Sequence, residues 1–143
     1  MILSQTALYA LRATLCLATH EPSVPVRVED IAEQLDVPRN YLSKILHVLA
    51  RAGVLASSRG PGGGFQLAQP AADLTLAEVV EHFDQISDGP SCLLGRPECS
   101  DQNPCAAHDR WRSVSSAVND FFRQTSIADL SRDRAASLTT DTG

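Results

Sequence analysis

The chain has 143 residues, of which 43% are apolar and 20% are charged, and its formal net charge is −5 at pH 7. This composition is typical of a soluble globular protein with one main core. It argues against a membrane span, because no run of about eighteen apolar residues occurs, and against a platform that stacks single-stranded bases, because only seven residues are aromatic.

Residues 4–19 are predicted to form the first helix. The apolar N-terminus lacks a basic start and a clear cleavage pattern, so we expect a helix there and not a signal peptide. This predicts a cytoplasmic protein whose cysteines are reduced or bind metal. Cys16 is interpreted as a buried small hydrophobic residue. The predicted buried stripe of this helix consists of Leu8, Leu11, Leu15 and Ala18.

Two further helices are predicted on either side of a short turn at residues 36–37. The first covers residues 28–35, and the second begins with Pro38 as its first helical residue. Apolar residues fall at i, i+3, i+4 and i+7 in both helices: Val28, Ile31, Ala32 and Leu35, then Leu42, Ile45, Leu46 and Leu49. This order predicts a helix-turn-helix, in which the second helix enters the major groove of DNA.

A glycine-tipped hairpin is predicted after these helices. Gly53 stands where a left-handed helix end favours glycine. Residues 54–59 and 65–68 are predicted as strands on either side of a glycine-rich turn at residues 60–64. The predicted fold class is mainly α with a small β-hairpin wing, a winged helix-turn-helix domain over residues 1–86.

Basic charge is concentrated in this part of the chain. Residues 37–70 contain four basic residues and no acidic residue, whereas the segments before and after them are net acidic. Because phosphate binding responds to the local field and not to the net charge, these residues are predicted to bind double-stranded DNA. The alternative is a solvated helix face beside a flexible loop.

Side-chain chemistry indicates how this surface would contact DNA. Arg39 suits guanine and Asn40 suits adenine, because each can form a pair of hydrogen bonds with that base. The Tyr41 ring is expected to pack inward while its hydroxyl reaches a phosphate, and Arg59 suits a narrow minor groove. The predicted DNA-binding residues, including the bare glycines of the wing, are Arg39, Asn40, Tyr41, Ser43, Lys44, Arg59, Gly60, Gly62 and Gly63.

A third helix is predicted over residues 74–86, after which the composition changes. Thr75 and Glu78 form a capping box at the start of this helix. Residues 87–105 are rich in glycine, proline, serine and aspartate and are predicted to form a long loop.

A long helix is predicted to begin at Pro104, with Asn103 as its N-cap. Its apolar residues approximate a three-four repeat, which predicts a dimerisation helix over residues 106–127. Packing on the first helix is expected in addition. Residues 128–143 lack a periodic stripe and are predicted to be a disordered tail.

Three cysteines in the loop and one histidine after it form a candidate metal site. Cys92, Cys99 and Cys105 have the spacing C-x6-C-x5-C, and His108 lies three residues after Cys105, on the same helical face. Thiolates and imidazole together suit an iron–sulfur cluster or Zn²⁺. The spacings are longer than those of structural zinc motifs and differ from those of ferredoxins. A metal or redox site is therefore predicted, with free cysteines or a disulfide as the alternatives.

Four segments together resemble a known family of bacterial regulators. They are LSQTALYALRA, PRNYLSKIL, SSRGPGGGFQLA and CLLGRPECSDQNPCAAHDRW, within residues 1–127. The chain is similar to the iron–sulfur cluster regulators of the IscR, NsrR and RirA type. Members of that family are homodimeric winged-helix transcription regulators that sense iron–sulfur status, iron, nitric oxide or redox state.

The resemblance also implies a ligand set. The three cysteine ligands of the family fall on Cys92, Cys99 and Cys105, and the histidine ligand of its [2Fe–2S] members falls on His108. Some [4Fe–4S] members use an acidic residue near the N-terminus, which falls on Leu8. Because leucine cannot bind iron, the resemblance favours [2Fe–2S] over [4Fe–4S].

The expected function is that of a homodimer bound to a pseudo-palindromic operator, with half-sites about 34–36 Å apart or a multiple of that distance. We expect the cluster to control operator affinity through the angle between the two winged domains. No enzymatic activity and no small-molecule substrate are expected. The alternatives are the same regulator with a structural zinc or cluster-free redox thiols, a thiol enzyme that uses Cys105 and His108, and a winged helix that binds only proteins.

Overall fold

A computed structural model of the chain describes residues 3–84, 92–94, 96–97 and 100–133. These residues form helices and one two-stranded antiparallel hairpin, which confirms the predicted fold class. The elements in chain order are α1 Gln5–Ala18, α2 Val28–Leu35, α3 Arg39–Arg51, β1 Leu55–Ser58, β2 Gly64–Leu67, α4 Leu76–Val80, α5 His108–Gln124 and α6 Ile127–Asp133, with a short 3-10 turn at Ala71–Asp73. Within the described ranges, no helix has the length and apolar character that a bilayer crossing requires.

Helix α1 begins as predicted, but it buries a different face. The Ser4 side chain accepts a hydrogen bond from the Ala7 backbone N–H and caps the helix. The predicted stripe is wrong, because its four residues are only partly buried. The buried face consists of Ala7, Ala10, Ala13, Thr14, Cys16 and Leu17. Small side chains let α3, α4 and α6 approach α1 closely, and this decides the orientation.

The helix-turn-helix matches the sequence prediction closely. Helix α2 has the predicted bounds, and Asp36 ends it in a left-handed conformation with φ 55°. Helix α3 begins at Arg39, so Pro38 is its N-cap and not its first helical residue. The four apolar residues predicted for α3 are all buried, and Gly53 has φ 84° as expected after the helix end.

The wing is the predicted hairpin, but β1 is shorter than the strand predicted over residues 54–59, and β2 covers Gly64–Leu67 where residues 65–68 were predicted. Its register runs from Leu55 opposite Leu67 to Ser58 opposite Gly64. Val26, from the loop before α2, pairs with Phe65 through two backbone hydrogen bonds of 2.8 Å. A Cβ atom on Gly64 would collide with the Val26 carbonyl group. Close backbone packing therefore requires glycine at this position, independently of any contact with DNA.

The segment after the wing is less helical than predicted. Helix α4 ends at Val80 and turns follow to Asp84, so the predicted helix over residues 74–86 is too long. The capping box is confirmed: Thr75 and Glu78 exchange hydrogen bonds of 3.0 and 3.3 Å. Residues 85–91, 95, 98 and 99 of the predicted loop lie outside the described residues.

Helix α5 begins later than predicted. Its N-cap is Ala107 and its first residue is His108, so the prediction of a start at Pro104 with Asn103 as N-cap is wrong. The Asn103 N–H instead donates to the carbonyl and hydroxyl oxygens of Ser100, in a turn that precedes the helix. Asn103 therefore stabilises this turn and does not cap α5.

The predicted disorder after residue 127 is wrong for its first six residues, because α6 lies there. Ile127 is fully buried, and Leu130 packs against the core. Ser126 and Asp129 exchange hydrogen bonds of 2.9 and 3.0 Å, which caps the start of α6. Residues 134–143 lie outside the described part of the chain.

Candidate functional site

One face of α3 carries the predicted base-reading residues. Arg39, Asn40 and Lys44 are exposed and Ser43 is partly exposed, whereas the opposite face is buried in the core. Their spacing of one, four and five residues places these side chains on one helical surface. The structure therefore brings together four of the predicted DNA-binding residues at the start of the second helix of the helix-turn-helix.

Tyr41 has a structural partner that the sequence did not indicate. Its hydroxyl forms a hydrogen bond with the Thr6 hydroxyl, and its ring meets the Tyr9 ring edge-on at 5.6 Å. These contacts join α3 to α1. The hydroxyl predicted to reach a phosphate is thus already hydrogen-bonded within the protein, and Tyr41 helps to fix the position of α3 on α1.

Arg39 is held by an acidic residue of α2. The Glu29 Oε1 atom accepts a hydrogen bond of 3.0 Å from Arg39 Nε and forms an ion pair with Nη2, which also lies 3.0 Å away. A backbone hydrogen bond at Glu29 and these contacts lower the pKa of the Glu29 carboxyl group. Glu29 was not predicted as part of the site, because an acid in the first turn of a helix is normally explained by the helix dipole.

The wing and α3 form a cleft with a basic border. It has a volume of about 510 Å³ and is lined by His47, Ala50, Arg51 and Ser57. Arg59 and Gly60 are exposed at the start of the glycine turn, and Gly60 and Gly62 have φ 83° and 77°. Of the four basic residues in positions 37–70, only Arg39 is paired with an acid in the described part of the chain.

The glycine at position 63 is required by the turn itself. A Cβ atom there would lie 2.5 Å from the Ser58 carbonyl oxygen. Gly62 faces open space, so its importance lies in its backbone conformation. The predicted close approach of the wing to DNA stays a prediction for these glycines.

Two of the predicted metal ligands are adjacent. The Sγ atoms of Cys92 and Cys105 are 3.7 Å apart, and both residues are partly buried. Two thiolates bound at about 2.3 Å to one tetrahedral metal ion would be about 3.8 Å apart. Their spacing therefore fits two ligands of a single metal ion. Cys99 lies outside the described residues.

His108 begins α5 and is almost fully buried, with 9% of its surface exposed. Its Nε2 atom lies 2.9 Å from Asp101 Oδ1, and the Arg112 guanidinium donates to the same oxygen. The hydrogen bonds from Arg112 and His108 lower the pKa of Asp101. Asp101 and Arg112 were not predicted, because no periodicity or motif marks a loop residue that contacts a later helix.

The described residues do not by themselves assemble the predicted four-ligand site. Among them, no three histidine, cysteine, aspartate or glutamate side chains are grouped as metal ligands. The structure places the sulfur atoms of Cys92 and Cys105 next to each other, and the His108 ring forms a hydrogen bond with Asp101. Cys16 is fully buried in α1, and burial raises the pKa of its thiol to about 11, so it is unsuited to metal binding.

An apolar groove lies between α1 and α5. It has a volume of about 780 Å³, and Leu8 and Leu11 of α1 face Val118 and Phe121 of α5 across it. Val114 and Phe121 are 55% and 50% exposed, which is unusual for large apolar side chains. Two of the partly exposed leucines of α1, Leu8 and Leu11, thus line this groove.

The chain is similar to known regulators over nearly its whole length. The model of the Rrf2 family, described as an iron-dependent transcriptional regulator, matches residues 3–133. A protein of Aquifex aeolicus (strain VF5) whose name describes it as an HTH-type transcriptional regulator is 39% identical over 132 residues, which cover 91% of each chain.

Two further similarities concern named regulators. The HTH-type transcriptional regulator IscR of Vibrio atlanticus (strain LGP32) is 34% identical over 133 residues, which cover 93% of this chain and 76% of that protein. The solved structure of CymR, described as the global cysteine regulator of B. subtilis, superposes with a TM-score of 0.79 at 22% identity and covers 94% of this chain and 98% of that chain.

Proposed function

This chain belongs to the Rrf2 family of transcriptional regulators, and from that premise we propose that it is a cytoplasmic homodimer whose affinity for a DNA operator is controlled by an iron–sulfur cluster. Family membership makes it a DNA-binding transcriptional regulator and not an enzyme. The cluster, the dimer and the sensing step are the proposed parts. The single observation that carries the cluster is the 3.7 Å separation of the Cys92 and Cys105 sulfur atoms.

The proposed ligands are Cys92, Cys99, Cys105 and His108, which hold a [2Fe–2S] cluster. A bound cluster would supply a centre that responds to iron supply and to redox change. Asp101 would support this set by accepting from His108 Nε2, because an imidazole that donates from Nε2 carries its lone pair on Nδ1, the atom that would bind iron. Leu8, which has no ligating atom, lines the apolar groove between α1 and α5.

The proposed homodimer uses this groove. Helix α5 is amphipathic, yet of its seventeen residues the described structure buries only His108 and Phe122. Two copies related by a two-fold axis would cover Val114 and Phe121 of each other. The predicted dimerisation helix is supported by this exposed apolar face.

The proposed control of DNA binding depends on the position of α5. Its first turn carries His108, and its last turn leads into two backbone hydrogen bonds with the start of α4. Leu76 N–H donates to the Thr125 carbonyl at 3.0 Å, and Ile127 N–H donates to the Leu74 carbonyl at 2.8 Å. Helix α5 is about 25 Å long. A change at the cysteine loop is therefore transmitted to the winged domain as a rotation of the whole helix.

Anaerobic purification tests the cluster. The protein should absorb visible light and contain equal amounts of iron and acid-labile sulfide, with two of each per chain. Cys99→Ala should abolish the absorbance, and Cys16→Ala should retain it, because Cys16 is buried away from the loop. Full colour in the Cys99 variant, or no iron in the wild-type protein, contradicts the proposed ligand set.

Operator binding tests the function. Cluster-loaded and stripped dimers should bind a selected operator duplex with different affinities in a fluorescence anisotropy titration. Arg59→Ala should weaken binding to all sequences and reduce the slope of log affinity against log salt by about 1. Equal affinities of the loaded and stripped forms rule out sensing by the cluster, even if the operator is bound tightly.

A second candidate function is a cluster-free thiol switch. The 3.7 Å separation also allows Cys92 and Cys105 to form a disulfide, in which peroxide oxidises two thiols and is reduced to two water molecules. A mass loss of 2 Da in iron-free protein after peroxide treatment, together with altered operator affinity, favours this function. A structural zinc at the same site is distinguished by metal analysis, which finds zinc and no sulfide.

A further inference from the structure

The contact between Glu29 and Arg39 joins the two helices of the helix-turn-helix at the surface that faces DNA. Glu29 lies in the first turn of α2, and Arg39 is the first residue of α3. Their side chains are 44% and 54% exposed, so the pair is accessible to a bound duplex. Arg27 lies 3.6 Å from the other carboxylate oxygen of Glu29 and helps to orient it.

The atoms involved leave one edge of the guanidinium open. Glu29 Oε1 accepts from Nε and lies 3.0 Å from Nη2, so the carboxylate is on the side edge of the group that these two nitrogen atoms form. An arginine has five N–H donors, and those on Nη1 and on the outer side of Nη2 lie on the other edge of the guanidinium. The described residues include no other partner for Arg39. The outer edge therefore has the paired donors that match the O6 and N7 acceptors of guanine.

We propose that Glu29 is a specificity-determining residue, which fixes the Arg39 guanidinium so that its outer edge reads a guanine in the major groove. This inference rests on the proposed function, because it assumes that α3 enters the groove. Glu29 does not contact the base. It acts through Arg39, as a positioning residue that restricts the orientation of a long and flexible side chain.

The charge of Glu29 has a second and opposite effect. A carboxylate near phosphates weakens binding to every duplex, irrespective of sequence. Glu29 thus lowers affinity for non-specific DNA and raises discrimination at one base pair. A residue that merely kept Arg39 away from DNA would lower specific and non-specific affinity equally. The positioning role of Glu29 can therefore be distinguished from such a blocking role.

The test begins with an operator selected by the full-length protein from a library of randomised duplexes. Each base pair of that operator is then substituted, and the affinities are measured by fluorescence anisotropy. Arg39→Ala should remove discrimination at one guanine, where the wild-type protein prefers guanine by about tenfold or more. Glu29→Ala should reduce discrimination at the same guanine by three- to tenfold, while affinity for unrelated duplexes rises.

Two matched variants separate the positioning effect of Glu29 from the effect of its negative charge. Asp30→Ala removes the neighbouring exposed acid in the same helical turn and should raise affinity for all duplexes without loss of discrimination. Glu29→Gln removes the charge but retains an acceptor oxygen, and should restore most of the discrimination that Glu29→Ala loses. With Arg39→Ala already present, Glu29→Ala should change discrimination no further.

The outcomes separate this inference from the proposed function. If no duplex is enriched by selection, the proposed DNA interface fails and this inference fails with it. If an operator is found but Glu29→Ala changes affinity for all duplexes equally, as Asp30→Ala does, only the role of Glu29 is overturned. The same holds if Glu29→Gln discriminates no better than Glu29→Ala.

Discussion

Substitution of Val114 by aspartate is the most direct test of the apolar face of α5. Val114 is 55% exposed on the rim of the groove between α1 and α5. The substituted side chain would remain in water in an isolated protomer, so the fold should be retained. In a two-fold dimer that covers this face, however, each interface would contain two new carboxylates.

The cost to the dimer follows from the exposed fraction. Full burial of a valine side chain contributes about 1.5 kcal/mol, so burying the exposed 55% contributes about 0.8 kcal/mol per copy. Symmetry doubles this loss, and withdrawing two carboxylates from water costs about 3 kcal/mol each. The total of about 8 kcal/mol would raise the dimer dissociation constant by about five to six orders of magnitude.

Sedimentation velocity at micromolar concentration provides the assay. Val114→Asp should sediment as a monomer, with an unchanged far-ultraviolet circular dichroism spectrum. Val24→Asp is the matched control, because Val24 is 54% exposed in the loop before α2, away from the groove. It should remain dimeric. If Val114→Asp retains the wild-type dissociation constant, α5 does not form the dimer interface by this face.

Three further predictions concern features that the fold places in the core or at helix ends. In the folded protein, reduced and freed of any cluster, N-ethylmaleimide at pH 8 should leave Cys16 unmodified while it modifies the loop cysteines Cys92 and Cys105, because burial raises the pKa of the Cys16 thiol to about 11; equal labelling of all sites would contradict this. Gly64→Ala should destabilise the fold by about 2 kcal/mol or more in urea unfolding, since its Cβ atom would strike the Val26 carbonyl, whereas Gly62→Ala, which meets open space, should cost only about 1 kcal/mol of backbone strain. The hydrogen bonds from the Ser126 backbone and side chain lower the pKa of Asp129, so its stabilising effect is present above the pKa of the unfolded state and is lost as the pH falls through the folded value. The protection factors of amides within α6, corrected for intrinsic exchange at each pH, should therefore fall below about pH 4. Asp129→Asn should remove that pH dependence of the protection factors.

Local patterns in the sequence were sufficient for the DNA-binding half of the fold. The apolar stripes of α2 and α3 have helical period, and the turn between them is short, so the helix-turn-helix follows from spacing alone. The glycine-rich tip predicts the wing, since a run of glycines between two short apolar segments favours a hairpin. The concentration of basic residues at positions 37–70 is also visible without coordinates.

The sequence alone could not show which face of α1 is buried in the core. Its leucines are more hydrophobic than its alanines, and the sequence therefore predicted a buried leucine stripe. In the fold the alanines face the core, because close packing against α3 and α4 requires small side chains. Leu8 and Leu11 are left beside α5, where they line the apolar groove.

The contacts that refine the site belong to the tertiary structure alone. Arg39 and His108 were predicted from the sequence as a base-reading residue and a metal ligand, because both predictions depend on side-chain chemistry and spacing. Their partners Glu29 and Asp101 were not, since each contact joins two separate elements. Periodicity reports which face of one element is apolar, but the distance between side chains on different elements depends on how those elements pack.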